Sequence, residues 1–329
     1  LVGKKSVSES DLISHEGKNN SADPHRMLAD AGSEWVEERK IPDGDESTVT
    51  ILPHRGFPGG TPGEVQSAFA VDYPDVDYPS AAVVTADTAG DLGADVYVLS
   101  NAQTLAGHAA AFVAGIVRTR EAIPADTALY LPGVATPGNV ATLVYAGVDL
   151  VDVDRAVLAG SQGRYLTVDG ERELEDLEEL PCACPACQRP LEEFDRAACA
   201  AHNVNALGAA LATVRERIRA GRLRDYVEGQ ARHENWHTAA FRRLDQQYAY
   251  LEQRTPVIRQ ATMGAATDDA IRRVEIQRFA ERVTTRYRNR FSNPLVLVPC
   301  SARKPYSESQ SHSQFHDAIQ FRGHTVSIT

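Results

Sequence analysis

Long apolar segments and cysteines are both few in this chain. The longest apolar runs, such as 109–117 and 295–298, are shorter than the ~20 residues of a membrane-spanning helix, so we expect no membrane segment. Of the 5 cysteines, three cluster at 182–187, a pattern that indicates metal binding rather than a disulfide framework. The first residues lead into a polar stretch rather than the apolar core of a signal peptide. We therefore expect a globular protein of the cytoplasm.

Lysine is also scarce. Only 5 of the 34 basic residues are lysine, and Lys304 is the only lysine after Lys40. With 45 acidic residues the net charge is −11, a composition typical of salt-loving archaea, although an ordinary acidic protein without a nucleic-acid partner would show the same sum. In concentrated salt the Debye length is about 3 Å. The charge therefore does not exclude an RNA partner.

Strand and helix patterns alternate from residue 48 onward. Apolar strand patterns fall at 48–52, 81–85, 95–100, 128–131 and 150–153, and helical patterns lie between them at 62–69, 105–120 and 137–146. Alternation at this spacing predicts βαβ units and a parallel sheet. It does not distinguish an open sheet from a barrel. The polar residues 1–45 predict a loop-rich N-terminal segment.

The second half of the chain predicts helices and then a further βαβ unit. Residues 155–181 read as a short link with a hairpin around 168–170, followed by helical patterns at 206–219, 239–252 and 268–286. The dense arginines between 215 and 243 fit either a solvated helix face or an RNA-binding groove. A strand at 294–298, a helix at 313–320 and a strand at 325–329 predict a βαβ unit. Both ends look cut, so we expect a fragment.

Three cysteines and a histidine form the pattern C-x-C-x2-C-x14-H at Cys182, Cys184, Cys187 and His202. Three thiolates within one tight turn can wrap an ion, and a histidine on the next helix completes a tetrahedron. A closed set of four ligands predicts a structural metal, and the histidine favours zinc over iron. Cys199 is the rival fourth ligand, and a buried structural cysteine is its other interpretation.

The turn that follows the strand at 294–298 concentrates reactive side chains. Open α/β sheets build their sites at the carboxyl ends of strands, and five candidate catalytic residues follow this one: Cys300, Lys304, Tyr306, Ser309 and His312. The alternative is a plain strand-to-helix turn, in which Pro305 sets the bend and Ser311 caps the helix.

The spacing of these residues, Pro-Cys-x3-Lys-Pro-Tyr-x2-Ser-x2-His, resembles the signature of archaeosine synthases, which are relatives of the tRNA-guanine transglycosylases. The cysteine cluster with His202 and Asn203 resembles the zinc site of the transglycosylases, although the last spacing is shorter here. The resemblance implies an α/β fold: a partial, degenerate TIM-like transglycosylase barrel at 46–180, with 132–137 as a loop at its active-site face. It further implies a zinc-binding and helical module at 181–255, and the start of a further α/β domain at 256–329.

The same resemblance implies an enzyme that acts on tRNA. Its reaction would convert the nitrile of 7-cyano-7-deazaguanine, in the D-loop of archaeal tRNA, towards archaeosine by adding an amine from lysine or another donor. A radical-SAM partner protein would then cleave the adduct. Cys300 could add to the nitrile, and Lys304 could bind a phosphate or a carboxylate. His312 could move a proton, with Tyr306 and Ser309 as hydrogen-bond donors. Cys300 also fits a packed residue at a strand end.

Asp152 takes the place of the transglycosylase nucleophile in the stretch 147–152, and we predict that it binds substrate. The family's Pro-Thr-Arg triplet is replaced by Val153, Asp154 and Arg155, which speaks against base exchange. A carboxylate that orients a loop at a strand end is the alternative for Asp152. The alternative functions are guanine transglycosylation and a non-catalytic tRNA-binding subunit.

Overall fold

The computed structural model describes residues 28–30, 41–286, 288, 292, 294–300, 306–320 and 322–328. The chain forms two compact units, Leu1–Ile276 and Gln277–Thr329.

The first unit contains a sheet of six parallel strands: β1 Leu28–Asp30, β2 Val49–Leu52, β3 Ser80–Val84, β4 Val96–Leu99, β5 Ala128–Leu131 and β6 Leu150–Val151. Each strand pairs with the next one along the chain, so the spatial order is β1-β2-β3-β4-β5-β6. An open doubly wound sheet reverses its order at a switch point, whereas a (β/α)8 barrel adds its strands in sequence. The predicted parallel α/β sheet is confirmed, and its order is that of a barrel wall.

Side chains on the strands alternate between two apolar layers. Tyr97, Leu99 and Leu129 belong to the main core, which the helices cover. Val98 and Tyr130 belong to a smaller cluster on the opposite face of the sheet. Strands buried on both faces are typical of parallel sheets in α/β proteins.

Helices follow the strands of the first unit and continue beyond its sheet. They are α1 Gly63–Phe69, α2 Ala102–Ala106, α3 Ala109–Ala122, α4 Val140–Ala146, α5 Asp154–Ser161, α6 Arg196–Arg219, α7 Leu223–Gln230, α8 Asn235–Asp245 and α9 Tyr248–Gln253. Helix α10, Val274–Arg286, begins in the first unit and continues past Ile276 into the second. The predicted helix at 105–120 is in fact two helices, because His108 has an extended backbone between α2 and α3. The predicted helix at 239–252 likewise divides into α8 and α9.

The predicted link at 155–181 was wrong in its first part, because it contains α5. Its hairpin is confirmed as β7 Arg164–Thr167 paired antiparallel with β8 Gly170–Glu173. Helix α5 packs against α6 at very close range: a Cβ added at Gly160 would lie 2.3 Å from the Cα of Ala200. Small residues at this contact give α5 a weak apolar pattern in the sequence.

Helix α6 begins ten residues earlier than predicted, at Arg196 rather than 206. The Asp195 carboxylate caps it by accepting a hydrogen bond from the backbone N–H of Ala198 at 2.8 Å. Among the described residues, α6 is the one helix long and apolar enough to cross a membrane by composition. Much of its apolar surface is packed inside the protein, as in the core helix of a globular domain.

The second unit contains a parallel pair of strands, β9 Leu295–Pro299 and β10 His324–Ile328. A 3-10 turn at Tyr306–Glu308 and helix α11 Gln310–Ala318 connect them. The predicted βαβ unit is therefore confirmed. The alternative interpretation as a plain turn placed Ser311 at the helix cap, but Ser309 caps α11 instead, through a hydrogen bond from the backbone N–H of His312.

Candidate functional site

The ligand atoms of Cys182, Cys184, Cys187 and His202 all lie within 4.8 Å of one another. The Nδ1 atom of His202 is 3.3 Å from Cys187 Sγ and 3.6 Å from Cys184 Sγ. The two sulfurs lie 3.6 Å apart. Such separations suit a common ion at the centre, because the sulfurs and nitrogens of a tetrahedral zinc site each lie ~2.0–2.3 Å from the metal. This cluster can hold a metal ion.

Local structure brings these four residues together. The three cysteines lie on one tight turn that ends in a short 3-10 helix at Pro185–Cys187, and His202 lies in the second turn of α6. The Nε2 atom of His202 is 2.9 Å from the backbone carbonyl of Leu166. A hydrogen bond donated from Nε2 fixes the tautomer that leaves Nδ1 free to bind a metal, as is usual around metal-bound histidines.

Tyr165 packs against the cluster, and Asn203 holds the neighbouring backbone in place. The ring of Tyr165 stacks on His202 with centroids 3.7 Å apart, and its hydroxyl is 3.5 Å from Cys187 Sγ. Burial, and then this contact with Cys187, raises the pKa of Tyr165. The buried Asn203 side chain accepts a hydrogen bond from the Leu166 backbone N–H at 2.8 Å and donates to the carbonyls of Ala156 and Arg164. Asn203 therefore ties the hairpin and α5 to the helix that carries His202.

The donor set fits a soft, tetrahedral metal. Hydrogen bonding with Cys187 lowers the pKa of Cys184 to about 3, while the same contact raises the pKa of Cys187. Thiolates are the ligands of such a metal, so metal binding would release the thiol protons of the cluster.

Cys199 is not part of the cluster. Its buried thiol points to the backbone carbonyl of Arg164 at 3.4 Å, and burial raises its pKa to about 12. A neutral, hydrogen-bonded thiol of this kind is a packed structural cysteine. His202 thus stands as the fourth member of the cluster.

Asp152 lies directly after β6, where it holds a glycine turn. One carboxylate oxygen accepts hydrogen bonds from the Tyr130 hydroxyl at 2.7 Å and the Gly133 backbone N–H at 2.8 Å. The other accepts one from the Asp154 backbone N–H at 3.1 Å. Asp152 is only 1% exposed. The pKa of Tyr130 is raised, mainly because its own hydroxyl is buried. In this conformation the carboxylate orients the loop after β5 rather than facing solvent.

Gly133 cannot be replaced easily in this turn. Its φ of 66° lies in the left-handed region, which non-glycine residues seldom adopt. A Cβ at this position would also lie 2.1 Å from the side-chain nitrogen of Gln103.

A cleft of about 630 Å³ opens at the carboxyl ends of the strands. It is lined by residues after β4, β5 and β6, by the β7–β8 hairpin and by the start of α8, among them Gln103, Gly133, Thr136, Arg155 and His237. Asp152 is not among the described residues that line the cleft, but the Gly133 turn that it holds is. In a (β/α)8 barrel the active site lies at this end of the strands, and the predicted loop at 132–137 lines the cleft here.

Sequence reasoning missed the contribution of α8 to this cleft. His237 is buried, its Nδ1 atom lies 3.9 Å from a carboxylate oxygen of Glu234, and burial lowers its pKa. A ring of Trp236 packs edge-on against both His237 and Phe112. The adjacent tryptophan and histidine were the available signal, but the helical pattern was placed a few residues too late to include them.

In the second unit, three of the predicted catalytic residues lie together. The ring of Tyr306 stacks on His312 with centroids 4.8 Å apart, and the Ser309 hydroxyl lies 3.2 Å from His312 Nδ1. His312 is 5% exposed, and its Nε2 atom is buried without a hydrogen-bond partner in the described part of the chain. Because Ser309 engages Nδ1, Nε2 is the nitrogen left for proton transfer to a bound molecule.

The remaining two candidates have different surroundings. Cys300 follows β9 directly and its side chain is exposed, as a nucleophile must be to reach a substrate. Lys304 lies outside the described residues.

Comparison with known proteins separates the chain into two parts. Residues 78–235 match a family described as queuine tRNA-ribosyltransferase, and residues 276–329 match a domain of unknown function, DUF5591. An archaeosine synthase of Haloferax volcanii is 64% identical over 303 residues, which cover 92% of this chain and 52% of that protein. An archaeosine synthase subunit alpha of Methanosarcina acetivorans is 38% identical over 88% of this chain and 50% of its own length.

The resemblance to the archaeosine synthase family is confirmed. A tRNA-guanine(15) transglycosylase of Thermococcus kodakarensis is more distant, at 29% identity over 61% of this chain and 37% of its own length. The chain spans about half the length of the archaeosine synthases that it matches. The cleft and metal cluster of the chain thus fall in its transglycosylase-like part, and the signature from Cys300 to His312 falls in the second matched domain.

Proposed function

We propose that this chain is part of an enzyme that modifies archaeal tRNA. The enzyme would add an amine to the nitrile of 7-cyano-7-deazaguanine on the way to archaeosine. The proposal is carried by the group of Tyr306, Ser309 and His312 after β9, in a chain 64% identical to a named archaeosine synthase. A stacked histidine with one free buried nitrogen is suited to proton transfer. A protein that only binds RNA would not need the exposed thiol of Cys300 in the same segment.

The chemistry of the proposal balances without an oxidant. The Cys300 thiolate adds to the nitrile carbon, and the nitrile nitrogen takes a proton from His312 to give a thioimidate. The amine then attacks the same carbon, gives up a proton to His312 and expels the thiolate, which leaves an amidine on the base. Tyr306 stacks on and Ser309 hydrogen-bonds His312, so both orient the proton donor. Lys304 would bind an anionic group of tRNA or of the amino acid.

Lysine is the amine donor that we propose, and a radical-SAM protein is the partner that would cleave its adduct. The relative from Methanosarcina acetivorans is named as a subunit alpha, which supports an assembly with a second protein. All of these steps would take place in the cytoplasm, where tRNA is modified.

The transglycosylase-like unit would bind tRNA rather than exchange its base. The buried Asp152 carboxylate already accepts three hydrogen bonds, so attack on a ribose would require it to leave the Gly133 turn. We propose that Asp152 shapes the cleft through that turn; direct contact between Asp152 and substrate stays a prediction.

Zinc is the metal that we propose for the cysteine cluster, with Cys182, Cys184, Cys187 and His202 as its ligands. Bound there, it would supply structural cross-linking between the cysteine turn and α6. Four protein ligands leave no position for a reactive water. The ion would therefore stabilise the unit without joining the reaction.

Turnover of nitrile-containing tRNA by single variants of the full-length protein tests the proposed function. We expect His312→Gln to lose at least about 100-fold in kcat, as for loss of a general acid. His316→Gln, on the same helix, is the matched control and should stay within about twofold of the parent. Full turnover by both His312→Gln and Cys300→Ser would refute the proposal.

A further inference from the structure

A second cavity lies among the helices of the first unit and shares no lining residue with the cleft at the strand ends. Its volume is about 790 Å³, which is within the range of small-molecule pockets. Val144, Leu251 and Val274 contribute an apolar wall. The cavity is also lined by five arginines: Arg219, Arg224, Arg254, Arg259 and Arg273. In a chain of net charge −11, such a concentration of cations in one concave surface calls for an explanation.

Three of these arginines have buried N–H groups without a hydrogen-bond acceptor among the described residues. They are Nε of Arg224, Nε of Arg273 and Nη2 of Arg259. Arg224 is 7% exposed and Arg273 1%, so water does not reach these groups freely. Nη2 of Arg259 lies 3.9 Å from Asp225, which is too far for a hydrogen bond. Buried donors without acceptors are unfavourable, and an acceptor-rich ligand would satisfy them.

The carboxylates near the cavity are already engaged. Glu275 is the one acidic side chain among the described lining residues. It accepts hydrogen bonds from Arg259 Nη1 at 2.6 Å and from Arg273 Nη2 at 3.5 Å. Arg224 forms ion pairs with Glu228 and Asp245, two residues that do not line the cavity. A cationic ligand would therefore meet arginines and no free carboxylate, whereas an anion would meet free donors.

We propose that this cavity binds a phosphate group, carried either by an RNA backbone or by a free nucleotide. Guanidinium groups match phosphate oxygens in geometry and charge, and the apolar wall suits the sugar and base that accompany a phosphate. If RNA supplies the phosphate, the proposal rests on the proposed tRNA substrate. If a nucleotide does, it is independent of that function.

Calorimetric titration of the chain at constant ionic strength, with pyrophosphate, AMP and a tRNA transcript as probes, tests the proposal. Arg259→Gln removes one free donor. Ala220→Phe narrows the cavity at an exposed lining residue and keeps every arginine, which guards against a folding defect in the first variant. Arg243→Gln makes the same change of charge at an exposed residue that does not line the cavity. Both cavity variants should lose about tenfold in affinity, and the control should lose less than about twofold.

The probes distinguish the two sources. Binding of AMP and pyrophosphate that both cavity variants weaken identifies a nucleotide site. Weakened binding of tRNA alone identifies an RNA backbone site. If no probe binds, or if Arg243→Gln weakens binding as much as the cavity variants, the cavity is not a phosphate site and the proposal is overturned. Turnover of nitrile-containing tRNA is a separate measurement, so its loss or retention does not change the conclusion drawn from the binding titrations.

Discussion

Replacing Asn203 by leucine tests the link between the fold of the first unit and its metal cluster. The substitution conserves side-chain volume but removes three buried hydrogen bonds, to the N–H of Leu166 and to the carbonyls of Ala156 and Arg164. A buried polar group left unpaired costs about 1–3 kcal/mol. The Arg164 carbonyl keeps its contact with the Cys199 thiol, and the Ala156 carbonyl lies within α5 and keeps its helical hydrogen bond. The Leu166 N–H is therefore the group left unpaired, and we expect a loss of about 1–3 kcal/mol in the free energy of unfolding.

The same substitution should also weaken metal binding. Asn203 fixes the backbone of Leu166, whose carbonyl accepts the hydrogen bond from His202 Nε2. Loss of such supporting contacts lowers metal affinity about 10- to 100-fold. Denaturant unfolding with zinc bound, and competition with a chromogenic chelator, measure the two effects.

Gln253→Leu provides the matched control, because it makes a similar change of an amide to leucine at the exposed end of α9. It should change the free energy of unfolding by less than about 0.5 kcal/mol. A loss below about 1 kcal/mol for Asn203→Leu, with unchanged zinc affinity, would refute the argument that Asn203 supports the metal cluster.

Three further predictions follow from the structure. Cys184→Ser should abolish tight zinc binding and lower the melting temperature, whereas Cys199→Ser should bind one zinc per chain as the parent does; equal loss in both would contradict the assignment of ligands. Burial raises the pKa of Asp245 from 3.8 to about 6, so the folded state binds its proton more tightly than the unfolded state does. The free energy of unfolding should therefore fall by about 3 kcal/mol as pH rises through this window. The difference in free energy of unfolding between the parent and Asp245→Asn, measured against pH, checks this, and a difference that does not change with pH would contradict it. Gly160→Val should destabilise the first unit by more than about 3 kcal/mol, because its side chain would meet the backbone of α6 at 2.3 Å; unfolding by denaturant measures the loss, and a value near zero would contradict the described contact of α5 with α6.

The sheet was predictable because its strands are buried on both faces and read as short apolar runs. Residues 128–131 coincide with β5, and β2, β3, β4 and β6 differ from their predictions by one or two residues. Strand β1 was not predicted, because residues 28–30 lie in the N-terminal segment that was expected to be loop-rich. The order of the strands was not visible in the pattern, since alternation fits open sheets and barrels alike. It came from the family resemblance, and the consecutive pairing of β1 to β6 agrees with it.

Helix α5 was missed for a different reason. It packs through Ala156, Ala159 and Gly160, and small residues give little apolar periodicity although they allow the closest helix contacts. The start of α6 was placed too late because its first turns, rich in alanine, carry the same weak signal.

The cluster of Cys182, Cys184, Cys187 and His202 was predictable from spacing alone, because three cysteines that could wrap an ion lie on one turn. The choice of His202 over Cys199 needed the helix: the two residues are three apart, yet only His202 directs a ligand atom to the cysteine turn. For the catalytic segment the sequence predicted the residues but not their arrangement. The stacking of Tyr306 on His312, and the role of Ser309 as the helix cap, depend on how the turn before α11 is folded.

Mass spectrometry of nucleosides from a labelling reaction tests the central claim most directly. The full-length protein would be incubated in concentrated KCl with tRNA that contains 7-cyano-7-deazaguanine and with isotopically labelled lysine. The proposed chemistry predicts a labelled adduct on the modified base, lost in Cys300→Ser. An unchanged nitrile, together with exchange of guanine at unmodified tRNA, would contradict it and move the reaction to the cleft beside the Gly133 turn that Asp152 holds.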